Sequence, residues 1–141
     1  LKGRVRWLFI ALLCEGIALV AFSQMHVLSY AIGIMLVFSL FVQMAEGATY
    51  GVVPFINKKA LGAVAGIVGA GGNIGAVSAA FLFRDESLSY QQGLFYLGIT
   101  VLLLASCVLV VRFSDATEAE EAKAYREAAG DRHEQGALSL R

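Results

Sequence analysis

The residues of this chain that could do chemistry are few, and they stand inside long apolar runs. Asn73 sits in the run Gly69-Ala70-Gly71-Gly72-Asn73-Ile74-Gly75. Between Gly62 and Ala80, a helical projection puts Gly62, Ala65, Gly66, Gly69, Ala70, Gly72, Ala76 and Ala80 on one broad face with Asn73 near its centre. Gly71, Gly75 and Ser78 cut a second small-residue groove on the opposite side. An exposed helix in water loses about 1 kcal/mol per Gly relative to Ala, so such a run makes sense where close backbone contact or movement repays it. Counting ~1.5 Å per residue, Asn73 lies ~16 Å from Arg84 and ~21 Å from Lys59, near the middle of its run. Its amide can donate and accept where few other groups can. Two readings are open: a tight packing seam locked by one amide, or a glycine-faced wall along which a solute moves.

Glu46 is the second such residue. At 100° per residue Ser39, Gln43, Glu46 and Tyr50 fall within about 60° of one another, and Thr49 lies just beside them. A carboxylate facing lipid costs about 2.5–3.5 kcal/mol on an insertion scale, so Glu46 is expected to face a partner helix or a wet cavity. The stripe could line a solute or proton path, or clamp two helices by hydrogen bonds. Gly47, Gly51 and Pro54 follow, and Pro54 removes an N–H, which makes this end of the run a candidate bending point. Glu15 has only apolar helical neighbours. Depth counting places it ~14 Å from Arg6 and Glu46 ~18 Å from Lys58, so the two carboxylates could meet across helices with one protonated. The alternative is that Glu15 is protonated alone or pairs with a residue upstream.

Other chemistries find no foothold. Cys14 and Cys107 lie singly in apolar runs, without the spacing of a disulfide or metal pair, and His26 and His133 are isolated. No Ser/His/Asp set or paired carboxylate in water is visible, and the glycine run misses the dinucleotide-binding spacing and its strand context. The chain is read as not an enzyme, with no metal, no cofactor and no nucleic-acid partner.

The elements that must carry these residues follow from composition. The chain has 141 residues, 58% hydrophobic and 16% charged, with mean hydropathy +0.71. A soluble domain holds about 45–50% apolar and about 25% charged residues. Four runs of roughly 20 residues or more, at 7–25, 28–55, 61–83 and 93–111, are each long enough to cross a hydrocarbon core of about 30 Å as a helix. The first run is too long for a cleavable signal and carries Glu15. The fold class is therefore all-α integral membrane with four transmembrane helices over 1–112, its partner the lipid bilayer. Lys2, Arg4 and Arg6 precede the first run, Lys58 and Lys59 separate the second from the third, and Arg112 follows the fourth; only Arg84 lies on the other side. Cytoplasmic loops retain Lys and Arg, which puts both ends inside.

The zero net charge is a sum of unlike parts. Through Arg112 there are seven basic and four acidic residues; from Phe113 there are four basic and seven acidic. Residues 113–141 form an acidic cytoplasmic tail. Thr117 with Glu120 has capping-box spacing, and the Ala/Glu/Lys-rich stretch to Gly130 predicts a short helix.

At these residues the sequence resembles the nitrate/nitrite porter family of the major facilitator superfamily. The run from Gly66 through Gly69-Ala70-Gly71-Gly72-Asn73-Ile74-Gly75 is similar to the second glycine-rich nitrate signature of that family, carried on its eleventh helix. Ala45-Glu46-Gly47-Ala48-Thr49-Tyr50-Gly51-Val52-Val53-Pro54-Phe55 resembles the tenth helix, and Gly3-Arg4-Val5-Arg6-Trp7 the entry to the ninth. The resemblance spans Leu1 to about Val111. It implies the C-terminal third of a twelve-helix transporter, helices nine to twelve, whose missing N-terminal helices belong to the same polypeptide. It implies membrane transport of nitrate or nitrite by alternating access, in a plasma or bacterial inner membrane. The substrate path carried over comprises Asn73, Gly69, Gly71, Gly72 and Gly75, with Glu46 beside them. The family's anion-binding arginines would lie upstream of Leu1. A complete small four-helix multidrug exporter using Glu15, or a membrane-anchor subunit with the glycine face as a docking seam, are the alternatives.

Overall fold

The computed structural model describes residues 2–84, 86–111, 113–114, 118–119, 122–123 and 125–126. Four long helices dominate, and no strand occurs among the described residues: α1 (Lys2–Ser23), α2 (Leu28–Val52), α3 (Leu61–Arg84) and α4 (Tyr90–Val108). Each is long and apolar enough to cross a membrane. In hydrocarbon every backbone N–H and C=O must be satisfied within the protein, and a helix does so locally. The chain is an integral membrane protein built on these four helices.

Local chemistry accounts for where the helices start and stop. α1 begins before Trp7, because Lys2 to Arg6 hold no proline and Gly3 stands in the first turn, where the helix tolerates it. It ends at Ser23, whose Oγ donates to the Val20 carbonyl at 2.7 Å, after which Gln24 and Met25 close short turns onto Ala21 and Phe22. α4 begins three residues before Gly93. There Ser89 Oγ accepts from the Gln92 N–H at 3.2 Å, and the Ser89 N–H donates to Gln92 Oε1 at 2.9 Å, a reciprocal cap that satisfies two exposed donors. Beyond Val108 the regular helix gives way to tighter turns through Val111. α2 breaks where Pro54 stands: a 3-10 turn at Val53–Phe55 follows it, and a second at Lys58–Ala60 leads into α3, with Asn57 Oδ1 accepting from the Lys59 N–H at 3.0 Å.

Packing is uneven. α1 lies against both α2 and α4, and most of the buried apolar residues line these contacts: Leu8, Ala11, Ala18 and Leu19 on α1, Ala45 and Val52 on α2, Ala105 and Val108 on α4. The closest approach is between α1 and α4. A Cβ on Gly98 would stand 2.7 Å from Val20 Cγ2 and 3.0 Å from the Val20 backbone nitrogen, and one on Gly16 would stand 2.8 Å from the Leu102 side chain. Without lipid-excluded hydrophobic gain, helices in a bilayer associate through such small-residue contacts. Two polar contacts tie the ends of the bundle. Arg4 Nη1 donates to the Gly51 carbonyl at 2.8 Å at one end, and Gln91 Nε2 lies 3.3 Å from His26 Nδ1 at the other.

α3 differs from its neighbours in having no buried residue. It is tethered at its ends, by the 3-10 turns on one side and by α4 on the other, where Phe83 covers Gly93 and stacks on Tyr90 with ring centroids 6.3 Å apart. Ile67 is 73% exposed and Ile74 68%, an apolar display suited to lipid or to further protein.

Residues after Val111 belong to a separate unit. In it residues 118–119, 122–123 and 125–126 are helical, and the Glu118 N–H donates to the Ser114 carbonyl at 3.1 Å. The expected cap of Thr117 with Glu120, and the stop at Gly130, lie outside the described residues.

Gly98→Ala is expected to destabilise the protein by about 1–3 kcal/mol, because backbone atoms of α1 cannot move aside as a flexible side chain can. The check is the thermal unfolding midpoint in detergent, which should fall for this variant.

Candidate functional site

Asn73 is built on α3 as its sequence predicts, in an unbroken helix and roughly midway along it. The side chain is exposed, and it makes no hydrogen bond with a described residue. Gly71, Gly72 and Gly75 are exposed as well, and Gly69 is half-buried. A Cβ added at any of Gly62, Gly66, Gly69, Gly71, Gly72 or Gly75 would meet nothing within 4 Å. The small-residue face of α3 is thus open throughout its length. A packing seam locked by Asn73 is not formed with any described residue; the close helix crossing between α1 and α4 is at Gly16 and Gly98 instead. Ser78, on the second groove, turns its hydroxyl back onto the Ile74 carbonyl at 2.8 Å and so spends its donor on its own helix.

The polar stripe of α2 is also open. Ser39, Gln43, Glu46 and Tyr50 are all exposed, whereas Ala45 and Val52, which lie on a different side of the same helix, are buried. The stripe therefore turns away from α1. Thr49 does not join it, since its Oγ1 donates to the Ala45 carbonyl at 2.8 Å. Glu46 makes no hydrogen bond or ion pair with a described residue, and α3 meets this part of the chain chiefly at the Val53–Phe55 turn. Asn73 and Glu46 are consequently not joined by any contact; each presents polar atoms on its own open face.

The two membrane carboxylates do not meet. Glu15 is half-buried on the side of α1 that carries Leu8, Ala11, Leu19 and Ser23, packed towards α2 and α4, while Glu46 is exposed on the stripe that α2 turns outward. Equal depth along two helices does not bring residues together when they point in different directions. No described residue gives Glu15 a hydrogen-bond or ionic partner.

Pro54 lies in the 3-10 turn that ends α2, and this turn has a neighbour that was not foreseen. The Arg4 guanidinium, separated from Gly51 by most of two helices, reaches its carbonyl and lies over the Phe55 ring, 4.5 Å from the centroid. No local pattern announces such a contact. Gly16 and Gly98 were likewise missed: neither stands four residues from another glycine of its helix, so no repeat marks it. At the opposite end Ser23, Gln24, His26, Ser89, Gln91 and Gln92 line a shallow polar depression between the α1–α2 turn and the start of α4. It shares no residue with the faces of Asn73 or Glu46. No group of three or more His, Cys, Asp and Glu residues able to hold a metal occurs among the described residues.

Comparison with known proteins gives the setting for these open faces. High affinity nitrate transporter 2.7 of Arabidopsis thaliana is 37% identical over 114 residues, which are 80% of this chain and 23% of that protein. Nitrate transporter 2.1 of Chlamydomonas reinhardtii is 36% identical over 120 residues, 80% of this chain and 22% of that protein. The nitrate/nitrite transporter NrtP of a Picosynechococcus species is 45% identical over 51 residues, 36% of this chain and 10% of that protein. No family model matches the chain, and no solved structure does. The chain spans about a fifth of the length of the curated relatives it matches. With four helices long and apolar enough to cross a membrane and relatives at 35–37% identity over 80% of its length, the chain belongs to the nitrate/nitrite porter family.

Proposed function

We propose that the chain is part of a secondary transporter that moves nitrate or nitrite across a membrane by alternating access, and that α1 to α4 are its ninth to twelfth helices. The observation that carries this reading is the open small-residue face of α3 with Asn73 at its middle, in a chain whose relatives are nitrate transporters. A planar anion needs hydrogen-bond donors and a compensating charge. The Asn73 amide offers donors. Within the four helices, Lys and Arg occur only near the ends, at Lys2, Arg4, Arg6 and Arg84, so the compensating charge comes from helices elsewhere in the polypeptide.

The glycines have a mechanical role in this scheme. Transporters of this architecture expose a midplane site to either side by rocking one helix bundle against another. Gly69 and Gly72 on one face, and Gly71 and Gly75 on the other, let a facing backbone come close without side chains that would lock the two in register. Glu46 lines the same path from α2, on a face left open in the same way. The Arg4 end of the bundle, with Lys2, Arg6 and Lys59 near it, is assigned to the cytoplasmic side.

In the complete polypeptide, Asn73→Ala should lower nitrate uptake by about tenfold, the change expected on losing one hydrogen bond to a charged ligand, with membrane abundance retained. Uptake equal to that of the unmodified protein would remove Asn73 from the path. Glu46→Gln changes charge at nearly constant shape; it is expected to flatten the dependence of uptake on external pH, and a pH profile that keeps its form would exclude a proton role for Glu46. Because Glu15 and Glu46 do not touch, their Gln variants should combine additively in unfolding free energy, to within about 0.5 kcal/mol, in a double-mutant cycle in detergent.

A further inference from the structure

The break in α2 is held by a side chain from another helix. α2 runs regularly to Val52 and then tightens into the turn Val53–Phe55. Pro54 has no N–H, so the carbonyl of Tyr50, four residues before it, lacks its helical donor, and the backbone here is held by fewer bonds than in the rest of the span. Arg4 bridges this place. Its Nη1 donates to the Gly51 carbonyl at 2.8 Å, on the last regular turn of α2, while the guanidinium plane covers the ring of Phe55 beyond the break, 4.5 Å from its centroid. One group thus grips the last regular turn of α2 and the last residue of the irregular turn.

The chemistry favours Arg for this task. An arginine can donate a charge-assisted hydrogen bond from one edge while its flat face rests on an aromatic ring, and a lysine can do only one of these well. Arg6, two residues further along α1, makes no such contact with a described residue. A Cβ on Gly47 or Gly51 would meet nothing within 4 Å, so no side chain at those two positions wedges this end of α2 in place. Val53, inside the turn, is only 3% exposed while the clip is closed.

We propose that Arg4 is a releasable clip: closed, it fixes the Val53–Phe55 turn against the end of α2; open, it lets that turn swing away when the cytoplasmic end of the path opens. Its movement during a transport cycle rests on the transport reading above, whereas its grip on the turn does not. Arg4 acts as a positioning residue, through the backbone of α2.

The test uses the complete polypeptide in detergent, with all native cysteines, Cys14 and Cys107 among them, replaced by Ala and a reporter placed by Val53→Cys. The rate at which a water-soluble maleimide labels residue 53 reads the opening of the turn. Arg4→Ala and Phe55→Ala are each expected to raise that rate, Arg4→Ala by about tenfold, as for loss of a charge-assisted hydrogen bond; Arg4→Lys should fall between. The double variant should label no faster than Arg4→Ala alone, because the two residues form one clip. A rate unmoved by either single variant, or fully additive effects, overturns the clip. For the moving part, 53-labelling is compared in sodium nitrate and sodium chloride. Nitrate should change the rate when Arg4 is present and leave it unchanged in Arg4→Ala, a difference that a static cap would not produce. A rate indifferent to nitrate with Arg4 in place overturns release during the cycle. The unfolding midpoint in the two salts separates that result from failure of the transport reading, since a protein that does not bind nitrate shows no nitrate-specific rise.

Discussion

The arrangement of the helices depends on how near α1 can come to α4. α1 is the one described helix with long contacts on two sides, and its approach to α4 is set where Gly16 and Gly98 leave room for Leu102 and Val20. α2 is carried on the other flank of α1 and pinned at its end by Arg4, and α3 hangs between α2 and α4 on its two end contacts. In a bilayer, where lipid tails are as apolar as leucine, dispersion at such close crossings replaces the hydrophobic drive that gathers helices in water. Small residues therefore hold the bundle together at one seam, and on α3 they leave a face open. The same residue type serves opposite ends because what faces it differs.

That contrast explains how much could be read from the sequence. The four spans, the class of fold and the polar residues worth following are properties of single segments, and runs of apolar residues, helical periodicity and the position of cations reveal them. The helix ends were read less well at Lys2 and at Tyr90, where polar residues that belong to the helix or its cap look like loop. The small-residue face of α3 was legible because eight glycines and alanines repeat along it. Gly16 and Gly98 were not, because a close crossing needs only one glycine on each helix, and one glycine makes no pattern.

The direction in which a residue faces relative to other helices was hardest to foresee. Depth counting placed Glu15 and Glu46 at a common level, but a level says nothing of azimuth, and the two carboxylates lie on unrelated sides of their helices. Arg4 and Phe55 meet for the complementary reason. They are remote in sequence, and the antiparallel course of α1 and α2 brings one helix's beginning to the other's end. Contacts of this kind are set by the path of the whole chain.

The Gly16–Gly98 crossing also orders events in time. Its two halves are made far apart during synthesis, which at about 5–20 residues per second separates them by several seconds. α1 and α2 can pair as a hairpin in that interval, with Arg4 already within reach of Gly51, but the flank of α1 around Gly16 stays without its partner until α4 has emerged. The packing of α1 against α4, remote in sequence, is thus among the last to be available, and assembly of these four helices waits on α4.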